Sequence, residues 1–294
     1  CTSTSMPIAL NTATADRGRH RIAVLDVTAV CRGGRTAVDS QYCTSPIKIA
    51  KAFPEGKSLC VMVMDASPGM LNGDRYELQW TAGAGAHLCL TNQGFTKVHP
   101  CTPELGASTE SRYRLAAGAC IETMMKPIML YKDASYTNLT VVELERDAVW
   151  MQGEVLSPGR MLRGESFAYE QLDNRISVYY EGELIHYQKQ LIRPERHQIA
   201  AKGAWDTYSH LGSFLVCSDR VDAALLASVR AVLDRLPFPK EQLYAGAAMT
   251  YRHGLTVTAA GSSSWIVQRM IKEVWDEVRK TLLQLQPSRI GSVG

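Results

Sequence analysis

The feature that most constrains the fold is an alternation of apolar and polar residues that dominates the chain from about residue 20 to 217. A period of two is typical of β-strands with one buried face, because successive side chains point to opposite sides of a sheet. Two clear examples are RYELQWTA at 75–82 and NRISVYYE at 174–181. This part of the chain is therefore predicted to consist of strands rather than helices.

Turn sequences rich in glycine and proline separate these strands at short intervals. They are RGGR at 32–35, SPGMLNGD at 67–74, AGAGA at 82–86, LAAGA at 115–119, SPGR at 157–160 and EGE at 181–183. Many short strands joined by such turns predict a mainly β fold, arranged as a β-helix-like stack, a sandwich or a barrel.

The pattern changes after residue 217, where apolar residues recur at helical spacing. A first helix is predicted to begin after Ser218, a good N-cap, and to stop at Pro237. A second helix is predicted to begin at the serines of 262–264, and LYAGAAMTYRHGLTVTAAG at 243–261 predicts a hairpin between the two. The apolar face of the second helix comprises Val267, Met270, Ile271, Val274, Val278 and Leu282. The fold class is therefore mainly β with two C-terminal α-helices as a minor α+β part.

A single β-rich domain is predicted over residues 20–286, with the helix, hairpin and second helix forming one unit at 218–286. No linker or low-complexity segment divides it. Residues 1–19 are predicted to be a loose N-terminal segment, and residues 287–294 a loose tail.

Composition and charge exclude several classes of protein. With 46% hydrophobic and 21% charged residues, the 294-residue chain is neither disordered nor a coiled coil. Its net charge of +3 is small and evenly spread, which predicts neither a nucleic-acid partner nor a membrane partner. No stretch approaches the roughly 18 apolar residues of a membrane helix. Eight cysteines without a C-x-x-C motif indicate reduced thiols and a cytoplasmic location.

The common sequence motifs of enzymes are missing. The chain has no P-loop, no G-x-G-x-x-G fingerprint, no G-x-S-x-G elbow and no H-E-x-x-H pair. His99 and Cys101 in KVHPC lie close together and are weak candidate ligands for a metal such as zinc or nickel, with a loop histidine beside a small buried cysteine as the plainer interpretation.

Two carboxylates have positions that need an explanation. Asp74 follows a tight turn and precedes a strand, so its side chain is expected to cap that turn or to serve a site. Glu154 lies in the apolar segment VWMQGEVLSPGR at 149–160 and is either on a wet strand face or in the interior. An interior carboxylate needs a charge partner such as Arg160, a bound cation or solvent, because otherwise it takes up a proton.

Taken in order, several segments resemble the UreD/UreH family of urease accessory proteins. They are SPGMLNGDRYEL, GAGAHLCLTNQGFTKV, VWMQGEVLSPGRMLRGESF, RISVYYEGELIHYQKQLI, LYAGAAMTYRHGLTV and VQRMIKEVWDEVR, and the similarity covers roughly residues 20 to 285. The series departs from the family in its first turn, where Pro68 and Asn72 stand at positions usually taken by glycine.

The resemblance implies a mainly β protein without catalytic activity that acts as a scaffold in urease maturation. It implies binding to UreF, which recruits the GTPase UreG, and docking on the urease apoenzyme. It also implies an internal polar tunnel through which nickel passes, with no tightly bound cofactor. The positions that match the tunnel lining are Asp74, Thr96, Glu154 and Arg160, and Gln188 stands where some relatives carry an acid.

Two other classes of function are compatible with a β-rich chain. A glycosidase-like hydrolase could use Glu154 and Asp74 as its acid and base, although only 7% of the residues are aromatic and able to stack on sugars. An adhesion or lectin module would be secreted, which the unpaired cysteines disfavour.

Overall fold

The computed structural model describes residues 21–288, except residues 103, 200–204 and 206. The predicted loose segment 1–19 therefore lies outside the described residues, as do residues 289–294 of the predicted tail. The start of that tail is attached to the domain, because the Ser288 hydroxyl is buried and donates to Glu55 Oε2 at 3.0 Å.

The described residues form seventeen strands, two α-helices and a short 3₁₀ helix at Met161–Arg163. The first strands are β1 (Ile22–Arg32), β2 (Arg35–Cys43), β3 (Ile47–Glu55), β4 (Ser58–Asp65), β5 (Arg75–Ala82), β6 (His87–Asn92), β7 (Thr96–Val98), β8 (Ala107–Leu115), β9 (Cys120–Met124) and β10 (Ile128–Leu130). The remaining elements are β11 (Ser135–Leu144), β12 (Val149–Ser157), β13 (Gln171–Tyr180), β14 (Glu183–Ile192), β15 (His210–Cys217), α1 (Ala223–Arg235), β16 (Leu243–Met249), β17 (Gly254–Gly261) and α2 (Ser264–Leu282).

The strands form two facing sheets, and the chain crosses repeatedly from one to the other. Sheet A has the order β14-β13-β11-β8-β5-β1-β2, and sheet B has the order β16-β17-β15-β12-β9-β6-β4-β3, with β7 and β10 attached beside β12. In sheet A the strands β5, β8, β11 and β13 pair in parallel in that order, and in sheet B the strands β4, β6, β9 and β12 do the same. This stacking is β-solenoid-like, which confirms the predicted mainly β, β-helix-like class.

The larger core lies between the two sheets and follows the alternation in the sequence. Tyr76 and Trp80 of β5 are buried there, as are Ile176 and Val178 of β13. Strand β12 contributes side chains to both of its faces, with Trp150 in the core between the sheets and its neighbours in a second core beneath the helices. Even-numbered residues of β12 therefore point between the sheets.

The helices cover the outer face of sheet B. All six residues predicted for the apolar face of α2 are buried, which confirms the predicted helix. The helix approaches the sheet closely at Gly212, where an added Cβ would lie 2.2 Å from Val267 Cγ1. Neither helix of the described chain combines the length and the apolar character needed to cross a membrane.

The predicted start of α1 was wrong by one turn. Its N-cap is Asp222, whose carboxylate accepts a hydrogen bond from the amide of Leu225 at 2.9 Å. Ser218 instead belongs to the preceding turn, where its hydroxyl contacts Asp219 and Arg220. The predicted end before Pro237 and the hairpin of β16 and β17 are confirmed.

Candidate functional site

A cavity of about 330 Å³ with both polar and apolar side chains in its wall lies between the two sheets. Its wall combines side chains of β5, β8 and β11 from sheet A with those of β9 and β12 from sheet B. The wall also includes residues 93–95 and Lys97, which are exposed, so the cavity reaches the protein surface on that side. The fold therefore encloses a space that a small polar species can enter.

Glu154 is the carboxylate on β12 that faces this cavity. The side-chain amide of Asn174 donates to Glu154 Oε1 at 2.5 Å, and that of Asn138 lies 3.4 Å from Oε2. Asn138 also donates to Asn174 at 3.1 Å, so the two amides form one network around the carboxylate. Among the described side chains, no lysine, arginine or histidine forms a salt bridge with Glu154.

The environment of Glu154 favours the protonated acid. Burial raises its pKa to about 7, although the hydrogen bond from Asn174 lowers it. A divalent cation or water in the cavity would favour the ionised form instead, because either stabilises the negative charge. The carboxylate is therefore poised to exchange a proton for a cation.

The rest of the wall carries hydroxyl groups. Tyr136 donates to Thr109 Oγ1 at 2.8 Å, and Tyr76 donates to Asp65 Oδ2 at 2.9 Å. The hydroxyl of Thr123 is buried and has no protein partner in the described chain. Burial raises the pKa of Tyr113 to about 12, so this phenol stays neutral. The cavity wall thus combines neutral oxygen atoms with the carboxyl groups of Asp65 and Glu154, and Lys97 and Lys126 also belong to it.

Two of the residues predicted to line the tunnel are in this wall. Glu154 and Thr96 both line the cavity. Asp74 lies beside the cavity, because it is two residues from Tyr76, which lines the wall. The carboxylate of Asp74 accepts a hydrogen bond from the amide of Leu71 at 2.8 Å. Asp74 therefore caps the turn before β5, as the plainer interpretation of the sequence expected.

Arg160 and Gln188 lie outside the residues that line the cavity. The sequence suggested Arg160 as the charge partner of Glu154, and this prediction was wrong. The guanidinium of Arg160 donates two hydrogen bonds to Glu165, and the bond from Nε is 2.8 Å long. The same guanidinium stacks 4.0 Å from the ring centroid of Tyr131. The turn around Gly164 brings Glu165 back to Arg160, whereas Glu154 points between the sheets. Gln188 lies on β14, an edge strand of sheet A, where it pairs with Ile176 of β13.

With Asp74 outside the cavity wall, the hydrolase hypothesis loses one of its two carboxylates. A glycosidase needs both acids on the same substrate. In the described chain Glu154 faces the cavity, whereas Asp74 holds a turn.

His99 and Cys101 do not form a ligand pair. The ring of His99 contacts the carbonyl of Pro68 at 3.2 Å and the ring of Tyr131, while the Cys101 thiol donates to the carbonyl of His99 at 3.3 Å. Neither residue belongs to a group of three or more potential metal ligands among the described residues.

Sequence reasoning missed a second cluster, on the opposite face of sheet B. His87, Cys120 and Glu122 bring their donor atoms within 4.8 Å of one another. Glu122 accepts hydrogen bonds from His87 at 2.6 Å, from Arg279 at 2.6 Å and from the indole of Trp275. The sequence signal that could have indicated this cluster is His87-Leu88-Cys89. It has the same spacing as His99 and Cys101 but lies on a strand.

The protein is thus a β-solenoid whose two sheets enclose a cavity lined by hydroxyl groups and by the carboxyl groups of Asp65 and Glu154. The family of UreD urease accessory proteins matches residues 21–292, nearly the whole chain. The chain belongs to this family, which assigns it a role in urease maturation.

Individual relatives agree with this assignment. The chain is 27% identical over 250 residues to the urease accessory protein UreD of Acetivibrio thermocellus, which covers 84% of this chain and 94% of the relative. It is 31% identical to UreD of an Arthrobacter species over 214 residues, or 71% of this chain and 73% of the relative. UreH of Helicobacter hepaticus is 24% identical over 193 residues, which cover 66% of this chain and 76% of the relative.

Proposed function

We propose that the protein is a non-enzymatic, cytoplasmic scaffold that passes nickel to the urease apoenzyme through the cavity between its sheets. In this role it binds UreF, which recruits the GTPase UreG, and the assembly docks on apo-urease. Nickel is the cargo, and the protein needs no tightly bound cofactor. Membership of the UreD family supports the role in maturation, and the polar cavity supports the route.

The observation that carries the proposal is the state of Glu154. Its carboxylate faces the cavity and is held by amides of Asn138 and Asn174 rather than by a cationic side chain. An arginine paired with both carboxylate oxygens would occupy the positions that a metal ion needs. The amides instead hold the orientation of the carboxylate and leave the negative charge available.

The arrangement suits transit better than storage. The oxygen atoms of carboxyl, amide and hydroxyl groups are a weak ligand set for a borderline metal such as Ni²⁺, which binds nitrogen and sulfur ligands more firmly. Because the pKa of Glu154 is raised to about 7, an arriving cation must also displace a proton for part of the time at neutral pH. Both effects keep the metal exchangeable.

The test replaces Glu154 by glutamine in cells that express the cognate urease and its accessory proteins. Glu154→Gln keeps the shape of the side chain and removes its charge. We expect purified urease to contain less nickel per active site and to be correspondingly less active, while co-purification of the variant with UreF is unchanged. Glu143→Gln is the matched control, because Glu143 is exposed on β11, outside the wall of the cavity.

Normal nickel content with Glu154→Gln would refute the route through the cavity. Loss of UreF binding in the same variant would show that the residue maintains the scaffold rather than the metal path. The UreF pull-down and the metal analysis therefore test the two parts of the proposal separately.

A further inference from the structure

Four potential metal ligands form a square on the outer face of sheet B, beneath α2. His87 and Cys89 lie two residues apart on β6, and Cys120 and Glu122 lie two residues apart on β9. The strands are parallel neighbours, with His87 opposite Cys120 and Cys89 opposite Glu122. Residues two apart on a strand share a face, so the four side chains occupy the corners of one patch.

The contacts show which face this is. Cys89 and Cys120 belong to the apolar cluster packed under the helices. Glu122 is fully buried and bonded to Trp275 and Arg279 of α2. None of the four ligands lines the polar cavity, which lies on the other side of sheet B.

The distances are close to those of a metal site. The His87 nitrogen, the Cys120 sulfur and the Glu122 oxygen lie within 4.8 Å of one another, and His87 Nε2 is 2.6 Å from Glu122 Oε1. Zinc binds histidine nitrogen and carboxylate oxygen at about 2.0–2.2 Å and thiolate sulfur at about 2.3 Å. To reach these lengths, His87 and Glu122 must move apart by a small amount and the Cys120 sulfur must move towards them.

The surroundings of Glu122 resemble the outer shell of a metal ligand. Trp275 and Arg279 donate hydrogen bonds to the carboxylate and fix its orientation. Such outer partners are common around metal-bound carboxylates, where they hold the ligand oxygen towards the ion. An ion would take the place of the hydrogen bond from His87 and leave the contacts with α2 intact.

The charges of the patch balance when His87 is protonated, since His87 and Arg279 face the carboxylates of Glu55 and Glu122. Glu55 lies 3.9 Å from Arg279, which in turn binds Glu122 at 2.6 Å, so two carboxylates face one guanidinium. A divalent ion preserves this neutrality when it displaces the protons of both His87 and the Cys120 thiol, and neutrality is the favourable state for buried charges. The imidazole of His87 is 14% exposed and gives an ion a path from solvent.

We infer that His87, Cys120 and Glu122 bind a divalent transition metal of the zinc class beneath α2. Nitrogen, sulfur and carboxylate donors in one patch select Zn²⁺, Co²⁺ or Ni²⁺ over Mg²⁺ or Ca²⁺. On binding, a metal–sulfur bond forms at Cys120 and a metal–nitrogen bond forms at His87 Nε2, and the thiol proton and the Nε2 proton pass to solvent. The bound ion fastens α2 to sheet B and is separate from the nickel route past Glu154.

The test titrates Co²⁺ into the purified full-length chain after treatment with a chelator. We expect one equivalent of Co²⁺ to produce a thiolate-to-cobalt absorption band, and Zn²⁺ to abolish it by displacement. Cys120→Ser and His87→Gln should each remove the band and weaken Zn²⁺ binding at least about tenfold. Zn²⁺ should raise the thermal midpoint of the wild-type protein and leave that of either variant unchanged.

Three control variants locate the metal. Cys217→Ser removes a buried thiol outside this patch, Cys101→Ser removes the thiol next to His99, and Glu154→Gln alters the cavity. All three should keep the cobalt band. His87→Gln is the variant least prone to misfold, because His87 is at the edge of the patch.

Absence of the band in folded wild-type protein would overturn the inference, as would a band that survives in His87→Gln. Loss of the band in Cys217→Ser or in Cys101→Ser would also overturn it, because the metal would then bind elsewhere. Since nickel content of urease is not measured here, failure of this site leaves the proposed nickel route to its own test.

Discussion

The buried carboxylate of Glu154 makes the stability of the protein depend on pH in a specific direction. Its pKa is raised from 4.5 to about 7 in the folded chain. The folded state therefore holds a proton more tightly than the unfolded state, and stability falls as the pH rises from about 4.5 to about 7. Above the folded pKa the penalty is constant.

Replacing Glu154 by glutamine removes this penalty. A shift of this size corresponds to about 3 kcal/mol, at about 1.4 kcal/mol per pKa unit. This figure is an upper limit, because the carboxyl group retains some accessible surface on the cavity wall and water there reduces the cost of its charge. The glutamine oxygen still accepts from Asn174, and the lost weak contact with Asn138 has an effect that does not vary with pH.

The assay is thermal unfolding of wild-type protein and Glu154→Gln at pH 5 and pH 8, with a chelator present. For a chain of this size, 1 kcal/mol corresponds to about 2 °C in the midpoint. We expect the midpoint of the variant to rise relative to wild type by up to about 6 °C between the two pH values. Glu143→Gln, on the exposed part of β11, should show no such change.

A difference between Glu154→Gln and wild type that is the same at both pH values would refute the raised pKa. A variant that is less stable than wild type only at pH 8 would refute the reasoning more directly. It would mean that Glu154 is ionised and that its charge stabilises the fold through a cationic partner.

Three further predictions concern packing, capping and partners. Gly212→Ala places a Cβ 2.2 Å from Val267 Cγ1, and we expect it to lower the free energy of unfolding by about 1–3 kcal/mol in denaturant titrations. The control Gly246→Ala adds a Cβ with no atom within 4 Å and should be near neutral. Asp222→Ala removes the N-cap of α1 and should cost about 1 kcal/mol in the same assay, and an unchanged midpoint would contradict this role. Exposed apolar side chains such as Leu162 predict that the isolated chain self-associates and becomes monodisperse with UreF; light scattering that shows a monomer indifferent to UreF would contradict the scaffold role.

The interior of the solenoid follows directly from the alternation in the sequence. Tyr76 and Trp80 are buried because every second residue of β5 must face the same side of its sheet. The same local rule, with a helical period, correctly predicted that Val267 and Met270 are buried on α2. These elements were predictable because the hydrophobicity that buries a side chain also sets the periodic pattern in the sequence.

Helix caps and ion pairs were less predictable, because chemically similar residues nearby can fill the same role. Ser218 and Asp222 are both good N-caps, and the structure uses Asp222 because only its carboxylate reaches the amide of Leu225. The sequence suggested Arg160 as the charge partner of Glu154, whereas the turn at Gly164 brings Glu165 to Arg160 instead. In each case the backbone path chooses between chemically similar partners.

The sequence by itself determined the class of fold, the two helices and the family, because these depend on periodicity and on an ordered series of segments. Only the tertiary structure decided which side chains meet. Asn138 and Asn174 reach Glu154 from the opposite sheet, and His87 reaches Cys120 through the register of two parallel strands. Long-range pairing of this kind depends on how separate strands stack, which no local pattern of residues records.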